Sequence, residues 1–195
     1  MQQDIQTGFL LRLGIDDFKS INVNNGLKYG DHILKGTAKC IKTQLSILQN
    51  IYKIGSDEFI ILDFLGNKED AKMLYYKIQD CLLEYIESIN YEVYFTLSEG
   101  IIDFKINPTA HYNEMMKWSE YALSLSKKRG KNNHTHYQKD YYEKFQREVQ
   151  LTKILRQAVI NHFSGFEVHF HPLLVLKQKR CRPWKSIVRR IYSYS

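Results

Sequence analysis

A chain of 195 residues has room for one domain of ordinary size and a piece of a second. Its hydrophobic fraction of 44% and charged fraction of 25% are those of a globular protein, and with no apolar run near the roughly 20 residues of a membrane span and no export signal at the start, a cytoplasmic location is expected. The net charge of +7 belongs to the tail, where seven bases (Lys177, Lys179, Arg180, Arg182, Lys185, Arg189 and Arg190) follow the last acid, Glu167, so the pI near 9.2 gives no reason to expect a nucleic-acid surface on the main domain.

In chain order, Phe9 to Ile15 is an apolar run that reads as a buried strand ending at Asp16-Asp17. Phe18 to Asn22 fits one or two helical turns, and Asn24-Asn25-Gly26 and Tyr29-Gly30 read as breakers. Asp31 reads as the N-cap of a helix with Leu34, Ala38, Ile41 and Leu45 on one face. Tyr52 to Leu62 reads as a β-hairpin whose polar tip, Gly55-Ser56-Asp57-Glu58, carries adjacent carboxylates. Taken alone, that tip is first of all a solvated acidic turn. It also suits Mg²⁺ and phosphate, because Mg²⁺ takes oxygen ligands and shares them with substrate phosphates.

Ala71, Leu74, Tyr75, Ile78, Leu82, Tyr85 and Ile86 recur at helical spacing. Tyr91 to Leu97 alternates as a strand, with Val93, Phe95 and Leu97 on one side, and Asn107-Pro108 breaks the chain. A helix is expected from Tyr112 to Lys128, stopping near Gly130, and then a short strand from His134 to Tyr137. Helices between strands, with one central hairpin, predict an α/β (α+β) domain: a mainly antiparallel sheet with helices packed on it. Asp140 to about His162 reads as a further helix and Phe166 to Leu176 as a strand; Lys177 to Ser195 has no clear period. Cys40, Cys81 and Cys181 form no metal-ligand pattern, and the first two read as buried thiols.

Several of these stretches together resemble one family. Gly55-Ser56-Asp57-Glu58-Phe59 is similar to the GGDEF motif of diguanylate cyclases. Gly14 to Asn22 resembles that family's D-x-D-x-F-K-x-I-N block, and Gly30-Asp31-His32-Ile33-Leu34 its G-D-x-x-L helix start. Ser98-Glu99-Gly100 resembles its S-x-G strand end, and Ala122-Leu123, Lys127 and Gly130-Lys131-Asn132 its closing motif. The match covers roughly residues 8 to 138. It implies a nucleotidyl-cyclase palm-like fold, GTP as ligand, Mg²⁺ as cofactor, and a homodimer for any catalysis, in which two GTP condense to cyclic di-GMP.

Carried over by position, the resemblance assigns Asn22 and Asp31 to reading guanine and Lys19, Lys127 and Lys131 to the phosphates. Gly55 and Ser56 become part of the substrate loop. Asp57 and the carbonyl of Ile15 become metal contacts, and Glu58 a second acid that helps activate the attacking hydroxyl. Outside the resemblance each is an ordinary surface polar group, and Asp31 only a helix cap. Three departures stand out. The leading Asp of the D-x-D block, a metal ligand in the family, is Gly14; Asp16 lies two residues on. The second Gly of the motif is Ser56, which would be strained if that position needed φ > 0. Ser46 and Gln49 stand where the family often has an R-x-x-D product-inhibition site.

The ends depart too. Residues 1–138 are read as a GGDEF-like domain lacking its usual first helix, which leaves apolar surface for something to cover. Residues 139–176 resemble the start of an EAL phosphodiesterase domain, with Phe170-His171-Pro172 for its Y-Q-P, and 177–195 form a basic tail outside the family. The leading expectation is a degenerate cyclase domain that binds GTP with weak or no cyclisation. The alternatives are an active diguanylate cyclase and, from another class, a phosphate- or membrane-surface binder acting through the tail.

Overall fold

The computed structural model describes residues 7–90, 93–106 and 110–163, and as backbone only 166–174 and 181–190. The chain divides into two units, Met1–Tyr142 and Glu143–Ser195.

In the first unit five strands form one sheet in the order β2-β3-β1-β4-β5. β1 (Phe9–Ile15) runs through its centre, antiparallel to β3 (Glu58–Asp63) on one side and to β4 (Leu97–Asp103) on the other. β2 (Asn50–Lys53) closes the hairpin with β3, and β5 (His134–His136) lies parallel to β4. The side-chain alternation of β1 sorts the helices onto two faces. Phe9, Leu11, Leu13 and Ile15 point into the larger core, with α1 (Phe18–Asn25), α2 (Leu27–Gln44) and α3 (Lys68–Ser88). Leu10 points to the other face, where α4 (Tyr112–Lys128) packs through Ala122, Met115 and Met116. Arg12 and Gly14 share that second face.

α3 buries Ala71, Leu74, Tyr75, Ile78, Leu82 and Ile86, as its periodicity predicts, and starts with a reciprocal Asn67–Asp70 capping box. α4 lies so close to β4 that a Cβ on Gly100 would come within 2.5 Å of the Leu123 backbone nitrogen. Beside α4, an apolar groove of about 550 Å³ is lined by Leu10, Ile60, Leu62, Phe104, Met115 and Met116 among others.

Three sequence expectations shift. α2 begins at Leu27, with the break at Gly26 (φ 87°), so Asp31 sits inside the helix and not at its cap, and Tyr29-Gly30 does not break the chain. β4 starts at Leu97, where the strand from Tyr91 was expected to end. Ile15, the last residue of β1, pairs with Leu97, so residues before it have no strand to join; Tyr91 itself lies outside the described residues, as does the Asn107-Pro108 break. Cys40 is buried and its thiol pushed up to about 12 by that burial, whereas Cys81 is only half-buried.

α5 (Lys139–Ile160) leads from the first unit into the second, where β6 (Phe166–Leu174) pairs antiparallel with β7 (Cys181–Arg190). The tail from Lys177, whose sequence has no clear period, includes the strand β7.

Candidate functional site

The hairpin tip and the end of β1 meet. The Ile15 N–H donates to the Asp57 carbonyl at 3.1 Å, and Gly14 stands opposite Glu58 in the sheet register. β1 then leaves the sheet through a left-handed turn at Asp17 (φ 55°), whose carbonyl accepts the Ser20 and Ile21 N–H groups and so starts α1. This turn brings Lys19 and Asn22 to the same end of the sheet. Lys19 and Asp31 are exposed. Asn22 lies against α2, so close that a Cβ on Gly30 would fall 1.8 Å from its Oδ1. Ser56 is not among the residues with positive φ, so its Cβ brings no backbone strain; its hydroxyl donates to Asp57 Oδ1 at 2.6 Å. Ser46 and Gln49 hold their own loop: the Ser46 N–H donates to Gln49 Oε1, and Gln49 Nε2 to Asp63.

Asp57, Glu58 and Asp17 each already have a cation. Lys127, on the last turn of α4, places Nζ 3.8 Å from Asp57 Oδ2, with the two side chains 30% and 22% exposed. Arg12 donates to Glu58 Oε2 from Nε at 2.7 Å and from a terminal nitrogen at 2.6 Å, and also to the Met116 carbonyl. Lys131 donates to both oxygens of Asp17 at 2.7 Å, a pairing that raises its pKa. Asp16 is buried and spent: Thr96 and Ser98 hydroxyls and the Asn132 N–H all donate to it.

Gly14 completes the picture. A Cβ added there would stand 2.9 Å from Lys127 Nζ and 3.2 Å from Leu123 Cδ2. The ammonium therefore fills the space in which a longer residue 14 would project. Diguanylate cyclases generally use a divalent metal, and the donors here can be weighed against one. Asp57 offers one carboxylate, already countered by an ammonium; Asp16 and Glu58 are engaged elsewhere. Among the described residues no three His, Cys, Asp or Glu side chains gather as a metal site. The set does not fit two divalent ions.

The structure thus brings Ile15, Asp57 and Lys127 together with Gly14, places Asn22, Lys19 and Asp31 on the neighbouring helices, and puts Glu58 against Arg12. Sequence reading passed over Arg12. Its signal was a lone charge inside the apolar run Phe9-Leu10-Leu11-Arg12-Leu13. It also passed over Glu99, fully buried on β4 with no hydrogen-bond partner on either carboxyl oxygen among the described residues. Among those residues, no helix is long and apolar enough to cross a membrane.

Comparison with known proteins agrees with this architecture. The family described as "Diguanylate cyclase, GGDEF domain" matches residues 1–133. The chain is 27% identical over 177 residues to the cyclic di-GMP phosphodiesterase NbdA of Pseudomonas aeruginosa, covering 91% of this chain and 22% of that protein. It is 27% identical over 125 residues to the probable diguanylate cyclase DgcI of Escherichia coli, covering 64% and 26%. Among solved structures, an EAL/GGDEF domain protein from M. capsulatus superposes with a TM-score of 0.59 at 26% identity, covering 70% of this chain and 88% of that one. The active GGEEF domain of a diguanylate cyclase from Vibrio cholerae shares the fold, with a TM-score of 0.56 at 24% identity and coverage of 69% and 85%. The chain spans about a fifth of the length of the first of these curated relatives. With the family model matched over residues 1–133, two thirds of its length, the chain belongs to the diguanylate cyclase GGDEF domain family of cyclic di-GMP signalling.

Proposed function

We propose that this domain binds GTP and cyclises it weakly or not at all. Asn22 and Asp31 offer an amide and a carboxylate to the guanine edge, and Lys19, Lys127 and Lys131 offer charge to the phosphates; Gly55 and Ser56 form the loop beside them. One observation carries the reading: where a metal-binding carboxylate would project from residue 14 there is no side chain, and the Lys127 ammonium lies in that space, 3.8 Å from Asp57. Cyclisation is a positioning problem with heavy demand for metal charge on the phosphates. A single countered carboxylate meets that demand poorly. Glu58, held by Arg12, is likewise poorly placed to take a proton from a hydroxyl.

The second reading is an active cyclase, with Mg²⁺ held by Asp57 and the Ile15 carbonyl and a homodimer bringing two GTP together. The Ile15–Asp57 contact favours it. Gly14→Asp separates the two. If the first reading holds, the variant with GTP and Mg²⁺ yields at least about tenfold more cyclic di-GMP than the parent, the return of a carboxylate worth about 1.4 kcal/mol or more in the barrier. No gain in product would count against it. The alignment of 177 residues to a phosphodiesterase also reaches beyond residue 133, which supports reading residues 139–176 as the start of an attached EAL-type domain.

A further inference from the structure

We infer that this site takes its nucleotide without a divalent metal, with the Lys127 ammonium as the built-in cation. The inference rests on the GTP-binding reading and goes further by removing the metal from it. Three observations converge. Lys127 Nζ stands 2.9 Å from where the Cβ of residue 14 would be, so a side chain at residue 14 would push it aside. It is 3.8 Å from Asp57, close enough to neutralise the one carboxylate left on the hairpin. Glu58 and Asp17 are also paired with cations, Arg12 and Lys131, and Asp16, buried with no paired cation among the described residues, is occupied by the Thr96, Ser98 and Asn132 donors.

A divalent ion needs a surplus of negative oxygen donors from the protein. Here Asp57, Glu58 and Asp17 are paired with cations before any ligand arrives, and both oxygens of Asp16 are taken by protein donors. A triphosphate needs the opposite. It meets Lys127 on the β1 side of the loop and Lys19 on α1, and the Lys53 ammonium lies at the hairpin itself, donating to the carbonyls of Gly55 and Ser56. Lysine binds phosphate as a point charge, without the fixed geometry that a bidentate arginine imposes. A lysine that fills the gap at residue 14 therefore supplies charge at the spot but cannot polarise two oxygens in line, which suits holding GTP and not joining two of them.

The test uses the full chain and measures GTP binding by calorimetry, once in excess EDTA and once with Mg²⁺, for the parent, Lys127→Met and Gly14→Asp. Manganese binding is followed separately by electron paramagnetic resonance, and thermal melting checks that each variant folds. The parent is expected to bind GTP within about threefold in the two media, and to hold no Mn²⁺ without nucleotide. Lys127→Met should lose about tenfold or more in EDTA. Gly14→Asp should bind more weakly in EDTA and regain affinity with Mg²⁺. Binding by the parent only with Mg²⁺, or unchanged metal-free binding in Lys127→Met, overturns the inference while leaving the GTP reading intact. No binding by the parent in either medium overturns the GTP reading, and the inference with it.

Discussion

Glu99 is the most exposed point of the fold's energetics, although it is fully buried. It follows Leu97 and precedes Ile101 on β4, so the alternation of the strand points it into the larger core, with those two residues. Neither carboxyl oxygen has a hydrogen-bond partner among the described residues. Burial holds its pKa well above the usual glutamate range. A buried polar group without a partner costs about 1–3 kcal/mol, and leucine fills a similar volume without that cost. Glu99→Leu should therefore stabilise the protein by about 1–3 kcal/mol, which for a chain of this size is a rise of roughly 3–10 °C in melting temperature. The pH dependence has a definite sign. The folded carboxyl keeps its proton to higher pH than the unfolded one, so parental stability is fullest below the ordinary glutamate pKa. It falls as pH rises from there towards the raised value. The gap between variant and parent should widen over that range. Melts of both proteins by circular dichroism at pH 5, 6, 7 and 8 measure it; contributions from His134 and His136, common to both, cancel in the difference. A variant that melts at or below the parent, or a gap independent of pH, would refute the reasoning.

Other substitutions probe other parts of the account. Gly100→Ala drives a Cβ towards the Leu123 nitrogen and the Ser119 carbonyl, 2.5 and 2.6 Å away; because these are backbone atoms, a loss of about 1–3 kcal/mol is expected in urea unfolding. Gly30→Ala meets the end of the Asn22 side chain at 1.8 Å and the buried Phe18 ring at 3.3 Å; the amide can swing aside and the ring need give only slightly, so melting should change by about 1 kcal/mol or less, while preference for GTP over ATP should fall as Asn22 is displaced. Arg12→Met leaves Glu58 without its cation. A fully buried pair broken in this way costs about 3–5 kcal/mol, and with Glu58 24% exposed a smaller loss of about 1–2 kcal/mol should appear in chemical denaturation.

Much of the fold was legible because its signals are local. α4 runs from Tyr112 to Lys128 as its periodicity and Gly130 indicate, and the hairpin follows from two apolar runs and a polar tip. β4 was misplaced because the alternation of Val93, Phe95 and Leu97 stops at Ser98-Glu99-Gly100; those three are buried, and pairing with β1 makes them a strand. Asp31 resembled a cap because the true break, Gly26, lies four residues before Gly30. At the site, motif spacing pointed to Asp57 and Ile15, and they meet. That Lys127 would stand beside Gly14 was not legible. The two residues are joined only by the packing of α4 against β1, which no local pattern records. For the same reason the Arg12–Glu58 pair was missed: the strand register sets it.

The most direct measurement is to incubate the purified protein with GTP and Mg²⁺ and to quantify bound nucleotide and cyclic di-GMP separately. The account predicts that GTP is retained and that product forms slowly or not at all. Turnover as fast in the parent as in Gly14→Asp would contradict it, because the missing carboxylate would then make no difference.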